Sequence, residues 1–248
     1  MIHTRKPTHP YLSKSLYIKG LQCHKALWLY KNSPELKSKH SAAQLAAFDN
    51  GTDVGIVAQG LFPGGIEVPY GGLTHTEQLV RTQELIAYGT TTIYEATFNF
   101  DNVFVKVDIL HRGEAGWEIY EVKSSTGCKD VYLHDIAVQQ YVVTGSGLPI
   151  TRACLIHINT HYVRHGDIEV EKLFSILDMT EKVLVREADV PVQLMAMRKA
   201  LGQDMPDIES GPHCENPYPC DFKGHCLSRI PADPLCALRD QGKPDQLE

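Results

Sequence analysis

Residues 103–125 have the sequence VFVKVDILHRGEAGWEIYEVKSS. Apolar and polar side chains alternate along 103–110, where Val107 and Ile109 share the apolar face, and they alternate again along 117–123. This pattern is typical of two half-buried β-strands. The six residues between them, HRGEAG, contain two glycines and favour a hairpin connection. We therefore predict two adjacent antiparallel strands.

The predicted hairpin brings two carboxylates and an ammonium to one side of the sheet. Glu121 and Lys123 share one face of their strand because successive side chains alternate. If Leu110 pairs with Trp117, then Asp108 lies on that same side and diagonal to Glu121. The sequence thus predicts a cluster of two acids and one lysine.

A divalent metal ion is the natural occupant of such a cluster. Asp108, Glu121 and the backbone carbonyl of Val122 offer the oxygen ligands that Mg²⁺ or Mn²⁺ prefers. Lys123 can then orient an attacking water or support the negative charge that develops on a phosphodiester. The pattern indicates phosphodiester hydrolysis, whereas an isolated Glu-x-Lys on a strand more often marks a solvated sheet face.

Two further polar side chains are candidates for the same site. Glu95 lies in the preceding predicted strand, TTIYEATFNF (91–100), and can add a metal ligand, although an exposed strand glutamate is an equal alternative. In the helix predicted at 130–146, Gln139 shares a face with Asp135 and can hydrogen-bond to the site. Gln140 is its competitor.

The remaining periodicities predict an α/β fold with a mixed central sheet flanked by helices. A strand, RACLIHI (152–158), follows the helix at 130–146 and indicates a crossover back into the sheet. We expect helices near 13–30, 41–60, 74–88 and 181–201, the last kinked or restarted at Pro191. A short strand is predicted at IEV (66–68), and FSILDMT (174–180) is predicted as a strand or the start of a helix. The predicted organisation is a helical segment at 1–62, a core at 63–202, a cysteine-rich segment at 203–230 and a tail at 231–248.

Composition limits the classes of protein that are compatible with the chain. It has 248 residues, of which 43% are hydrophobic, and this is ordinary for a globular protein. The sequence shows no membrane-length apolar run, and its first residues do not resemble a secretory signal. We therefore expect a cytoplasmic protein, in which clustered cysteines are metal ligands more often than disulfides.

The charge is distributed unevenly along the chain. The net charge is −6, but residues 1–40 contain eight basic side chains against one acid. A basic segment on an acidic body is compatible with contact to a polyanion at one place, although a solvated helix surface explains the charge equally well. Lys14, Lys19 and Lys25 are the candidate contacts.

A second motif, GPHCENPYPCDFKGHC (211–226), places Cys214, Cys220 and Cys226 at equal intervals of six. Three thiolates leave a four-coordinate site incomplete, so a fourth ligand is needed. The other cysteines are Cys23, Cys128, Cys154 and Cys236. Sequence proximity favours Cys236, and the motif alone leaves zinc and an iron-sulfur cluster as alternatives.

Together, these motifs resemble the PD-(D/E)xK nuclease superfamily, in particular its RecB-like branch, which includes the CRISPR-associated adaptation nucleases. Asp108, the Glu121-Val122-Lys123 triplet and Gln139 carry the resemblance, together with LSKSLYIKGLQCHKALWLY (12–30) and the cysteine motif. The resemblance implies a restriction-endonuclease-like core and catalytic roles for Asp108, Glu121, Lys123 and Gln139. It also implies a metal site of Asp108, Glu121, Val122 and Glu95, and a 4Fe-4S cluster on Cys23, Cys214, Cys220 and Cys226.

The function implied by the resemblance is a Mg²⁺- or Mn²⁺-dependent DNA nuclease, an exonuclease acting on single strands or DNA ends. One feature departs from the family. Many relatives carry a metal-binding histidine four residues after a helix glycine, whereas here Gly51 is followed at that distance by Gly55. The alternative function is therefore a weak or inactive DNA-binding or assembly module with a structural iron-sulfur or zinc site.

Overall fold

The computed structural model describes residues 11–39 and 42–228, so the predicted tail at 231–248 lies outside the described residues. The strands in chain order are β1 (Leu12–Ser13), β2 (Ile66–Glu67), β3 (Thr92–Phe100), β4 (Val103–Arg112), β5 (Trp117–Lys123), β6 (Ile150–Ile158) and β7 (Phe174–Asp178). The helices are α1 (Lys14–Gln22), α2 (His24–Asn32), α3 (Ala42–Ala58), α4 (His75–Ala87), α5 (Asp130–Gly145), α6 (Val170–Leu173), α7 (Thr180–Glu187), α8 (Val190–Leu201) and α9 (Lys223–Leu227).

The strands form one mixed sheet in the order β2-β3-β4-β5-β6-β7, with β1 added beside β4. The β3-β4-β5 meander is antiparallel, β5 and β6 run parallel, and β7 returns antiparallel to β6. The parallel pair is connected through α5, as a crossover requires. The predicted fold class, a mixed central sheet flanked by helices, is confirmed.

Helices cover both faces of the sheet. One apolar cluster packs α1, α5, α7 and α8 against the strands, and it includes the fully buried Ile136 and Leu194. On the other face, a smaller cluster joins Ala58 of α3 to Tyr94 and Ile156. No helix among the described residues is long and apolar enough to span a bilayer.

The predicted register of the hairpin was wrong by two residues. Leu110 pairs with Ile119, not with Trp117, which instead pairs with Arg112. β4 extends two residues further than its apolar pattern indicates, to Arg112, and the connecting loop shrinks to residues 113–116. Because the shift is an even number of residues, Asp108 stays on the predicted side of the sheet. In the corrected register it lies opposite Glu121 and not diagonal to it.

The alternation of side chains reverses in the middle of the sheet. In an unbroken strand Val107 and Ile109 would share one face, yet they belong to the apolar clusters on opposite faces. The same reversal separates Tyr94 from Ala96 in β3, across Glu95 with its positive φ of 54°. This irregularity reorients the strands at Glu95 and Asp108.

The sequence did not predict β1. Leu12 and Ser13 pair with the first residues of β4. The last residues of the same strand pair with β5. Ser13 caps α1 by accepting a hydrogen bond from the Leu16 amide at 3.3 Å. The helix ends at Cys23, whose extended φ and ψ of −165° and 118° separate α1 from α2. Pro191 is the second residue of α8, so of the two predicted outcomes the helix restarts there and is not kinked.

Candidate active site

A cavity of about 760 Å³ opens where β1 and β5 diverge along the edge of β4. Its walls include all the residues predicted as metal ligands, Glu95, Asp108, Glu121 and Val122, together with Lys123 and Lys14. The opposite wall is α3, which presents Gly51 and Gly55. The predicted cluster of acids and lysine therefore faces a cavity large enough for a phosphate group and its neighbours.

Glu121 is the centre of the site, and only 2% of it is exposed. Its carboxylate accepts hydrogen bonds from Lys14 Nζ at 2.9 and 3.0 Å, from Lys123 Nζ at 2.7 Å and from Gln139 Nε2 at 2.6 Å. Burial opposes its ionisation, but Lys123 and Lys14 outweigh burial and hold the pKa of Glu121 at about 2. Glu121 is thus a fixed negative charge.

Asp108 lies in the opposite electrostatic situation. Its Oδ2 accepts a hydrogen bond from the Val122 amide at 2.7 Å, which fixes the carboxylate beside β5. Burial, and then the negative charge of Glu121, raise the pKa of Asp108 to about 7. Two neighbouring carboxylates with pKa values shifted in opposite directions are characteristic of functional sites.

The raised pKa of Asp108 makes a prediction about stability. An acid whose pKa is higher in the folded than in the unfolded protein costs stability as pH rises from about 4 to about 7. We therefore expect Asp108→Asn to stabilise the metal-free protein by about 1–2 kcal/mol at pH 8, a few degrees in Tm, and by much less at pH 5. Thermal melts in EDTA at the two pH values measure the difference.

Asp178→Asn serves as the control of opposite sign. Hydrogen bonds from Thr180 and Arg152 lower the pKa of Asp178 to about 2, so its loss should decrease the Tm at pH 8. An Asp108→Asn variant that melts at or below the wild-type temperature at pH 8 would contradict the electrostatic description of the site.

Lys123 is held in its charged form. Its ammonium contacts Glu121 and Asp135, each at 2.7 Å, and lies 5.3 Å from the centre of the Tyr132 ring. Burial opposes the charge, but Glu121 and Asp135 outweigh it and raise the pKa of Lys123 well above its usual value. A permanently charged lysine donates hydrogen bonds and stabilises anions, and it does not act as a base.

Lys14 belongs to the site, although the sequence placed it among residues that guide a polyanion. It follows β1 directly, and the pairing of Ser13 with Phe104 brings its ammonium to both oxygens of Glu121. This contact depends on pairing between residues some 90 positions apart, which no local pattern in the sequence reveals. The site therefore contains two lysines on one buried carboxylate.

Gln139 is the glutamine that reaches the site. It is 1% exposed, and Nε2 donates to Glu121 and to the Asp135 carbonyl, the latter at 3.1 Å. Its Oε1 is buried and accepts no hydrogen bond from any described residue. The competitor Gln140 turns away and donates to Glu187 at 2.7 Å. Gln139 therefore fixes the orientation of Glu121 and leaves one acceptor free.

Glu95 combines backbone strain with a position in the cavity wall. A positive φ in a residue other than glycine costs on the order of 1–3 kcal/mol and is tolerated mainly at functional sites. Burial raises the pKa of its carboxyl group, while Lys106 and Lys14 lower it. The strain turns Glu95 to the same cavity as Asp108.

The donor atoms fit a hard divalent ion in their chemistry. Carboxylate and carbonyl oxygens face the cavity, and the Gln139 oxygen lacks a partner nearby. Within residues 11–39 and 42–228, no three His, Cys, Asp or Glu side chains have metal-chelating geometry as they stand. Lys14 accounts for this at Glu121, because its ammonium occupies both oxygens.

The four cysteines named for the cluster line one small cavity. Cys23, between α1 and α2, meets Cys214, Cys220 and Cys226 there. Burial raises the pKa of Cys220, and the three neighbouring thiols raise it further. Cys154 is buried in the sheet and Cys128 is exposed on the surface, while Cys236 lies outside the described residues. Four thiols are the ligand number of a four-cysteine iron-sulfur cluster, although within the described residues they too lack metal-chelating geometry as they stand.

The carboxyl-terminal segment holds α1 at several points. Lys19 pairs with Asp221 at 3.3 Å, and Gln22 donates to the carbonyls of His213 and Tyr218 at 2.8 and 2.7 Å. Lys25 lines the cysteine cavity and donates to the Ile208 carbonyl at 3.0 Å. Of the three lysines assigned to a polyanion, Lys14 thus contacts Glu121, and Lys19 and Lys25 bind the cysteine-rich segment.

Comparisons with known proteins give only distant likenesses. No protein-family model and no curated protein matches the chain. Among solved structures, the alkaline exonuclease LHK-Exo from Laribacter hongkongensis is 10% identical, with a TM-score of 0.40 over 77% of this chain and 91% of that one. Its complex with dAMP gives 0.43, at 10% identity over 77% and 88%. The protein SSO0001 is 12% identical, with a TM-score of 0.40 over 92% and 90%. We therefore base the function on the side chains of the site.

Proposed function

We propose that the protein is a metal-dependent DNA nuclease of the PD-(D/E)xK type. The observation that carries the proposal is the convergence of Asp108, Glu121 and Lys123 on one cavity, with Glu121 ionised and Lys123 charged. In phosphodiester hydrolysis negative charge accumulates on the phosphate. An ionised carboxylate that can bind a metal ion, beside a charged lysine that can donate hydrogen bonds, is suited to stabilise that charge.

Each side chain has a part in this reaction. Asp108, Glu121, Glu95 and the Val122 carbonyl would hold Mg²⁺ or Mn²⁺, and the ion would supply Lewis-acid stabilisation of the phosphate and lower the pKa of a bound water. Lys123 donates to the phosphate and supports its developing charge. Gln139 keeps Glu121 in place through its 2.6 Å hydrogen bond.

We propose a 4Fe-4S cluster on Cys23, Cys214, Cys220 and Cys226, with a structural role. The four thiols belong to the two ends of the described chain, and they meet at the C-terminal end of α1, whose first residue contacts Glu121. Lys14 and Cys23 are the first residue and the C-cap of the same nine-residue helix. The cluster thereby fixes the helix that carries Lys14.

One observation supports a second function, a DNA-binding module with weak or no cleavage. Gly55 faces the carboxylate cavity, and a Cβ added there meets no atom within 4 Å. At the position where the family that this chain resembles carries a histidine, this chain therefore has no side chain. Such a module would bind DNA through the basic side chains near the cavity, with a strong dependence on salt.

A nuclease assay separates the two functions. Protein purified without oxygen is incubated with linear and with circular single-stranded DNA, each in Mg²⁺, Mn²⁺ or EDTA. We expect degradation of the linear strand in Mn²⁺ or Mg²⁺, survival of the circle, and no reaction in EDTA. Salt-dependent DNA binding without cleavage in either metal would reject the nuclease and support the binding module.

A further inference from the structure

A second cavity, of about 720 Å³, adjoins the carboxylate cavity. The two cavities share Lys123 and Ser124. A DNA strand bound at the carboxylates would therefore continue directly into the second cavity. Its other walls are α1, the loop after β5 and the turn between Cys214 and Cys220. The volume lies within the range of about 300–1,000 Å³ that is usual for ligand clefts.

Aromatic rings form the apolar part of this cavity. Tyr30, Tyr132 and Tyr218 line it, and Tyr218 is 38% exposed, which leaves ring surface available for contact. The backbone of Tyr218 is fixed, since its carbonyl accepts the 2.7 Å hydrogen bond from Gln22. An exposed tyrosine on an anchored turn is a suitable platform for a planar, uncharged ring system.

The charged part of the cavity is basic. Lys19, Lys37, Lys123 and Lys129 line it, against a single acid, Asp221. Asp221 is neutralised locally by Lys19 at 3.3 Å and Lys37 at 3.8 Å. Lys123 is paired with Glu121 and Asp135, so the surplus positive charge comes from Lys129 and from the two lysines that share Asp221. This surplus favours an anionic ligand, and its combination with aromatic rings favours one that carries both phosphate and a flat base.

We propose that this cavity binds an unpaired nucleotide next to the scissile phosphate, with its base stacked on Tyr218 and its phosphate near Lys37 and Lys129. This inference rests on the proposed function and specifies its substrate class as single-stranded DNA. A base that stacks on Tyr218 in this cavity cannot remain paired, so a duplex has to open before it fits. The turn between Cys214 and Cys220 then contributes to substrate binding as well as to the cluster.

The test uses fluorescence anisotropy in EDTA, so that binding is measured without cleavage. The probes are a labelled oligothymidylate of eight residues and an oligomer of equal length with abasic sugars throughout. We expect the wild-type protein to prefer the oligothymidylate by about 5- to 150-fold, as base stacking provides. Tyr218→Ala should remove this preference, whereas Tyr218→Phe should keep it.

Matched controls separate stacking from folding and from charge. Tyr88→Ala removes a tyrosine that is 91% exposed and lines neither cavity, so the preference should remain. Lys129→Glu should weaken binding of both oligomers by similar factors, because it acts on the phosphates. Iron content and circular dichroism equal to those of the wild type confirm that each variant is folded.

The possible results distinguish this inference from the nuclease itself. A Tyr218→Ala variant that keeps the preference, a wild-type protein without one, or equal affinity for a blunt duplex overturns the stacking cavity, whether or not the protein cleaves DNA. Conversely, a preference that depends on Tyr218 in a protein without any cleavage supports the cavity and rejects the nuclease.

Discussion

Replacing Glu121 by glutamine is expected to reduce Mn²⁺-dependent DNA cleavage by at least about 1,000-fold. The substitution keeps the size of the side chain and removes the negative charge that Lys14 and Lys123 neutralise. An amide is a poorer ligand for a hard cation. Lys14 then loses its carboxylate partner, while Lys123 keeps only Asp135. The measurement is the initial rate of release of acid-soluble nucleotides from linear single-stranded DNA.

Glu118→Gln is the matched control for this experiment. Glu118 lies on the same strand, three residues before Glu121, and it accepts a hydrogen bond from Tyr120 instead of facing the cavity. Its loss should leave the rate unchanged within about twofold. Lys123→Ala should abolish cleavage as Glu121→Gln does, with the iron content of the protein unaffected. Wild-type activity in either site variant would reject the assignment of the active site.

The secondary structure was largely predictable because most of the longer elements have a local signal. Thr74 and Glu77 form a capping box at the start of α4, and Ser13 caps α1, so both helix starts are encoded within four residues. The hairpin register was not predictable in the same way. β4 extends past its apolar residues to Arg112, and the pairing of polar residues leaves no trace in hydrophobic periodicity.

The site was predictable only where its residues share a strand or a helix. The spacing of Glu121 and Lys123 in β5 follows from the pleat alone, and that of Asp135 and Gln139 follows from one turn of α5. Lys14 enters through β1, whose two residues pair with a strand 91 positions away. Such a short strand carries no pattern of its own, so the sequence predicts Lys14 as a contact to a polyanion and not as a partner of Glu121.

Helix α1 connects the two centres of the molecule. Lys14 at its start binds Glu121, and Cys23 at its end lines the cysteine cavity with the other three thiols. Lys19, between them, pairs with Asp221 of the cysteine-rich segment. A single helix of nine residues joins the cysteine cavity to Glu121. Any change that releases the Cys23 end of α1 should therefore alter the position of Lys14 beside Glu121.

Replacing Cys23 by alanine tests this connection and the cluster together. We expect the variant to lose its iron and its brown colour, and to lose at least about 3 kcal/mol of stability, or roughly 6–12 °C in Tm. Cleavage should also fall, because α1 no longer holds Lys14 against Glu121. Iron analysis, the visible absorption spectrum and a thermal melt measure these effects on anaerobically purified protein.

Two other cysteines define what the result means. Cys128→Ala removes an exposed thiol outside the cysteine cavity and should keep iron, colour and Tm. Cys236→Ala should do the same if Cys23 is the fourth ligand, whereas loss of iron in Cys236→Ala with retention in Cys23→Ala would move that ligand to the carboxyl-terminal tail. Zinc in place of iron in the wild-type protein would reject the cluster but keep the four-thiol site. Because α1 ends at Cys23 in either case, the fall in cleavage would still follow from the loss of that anchor.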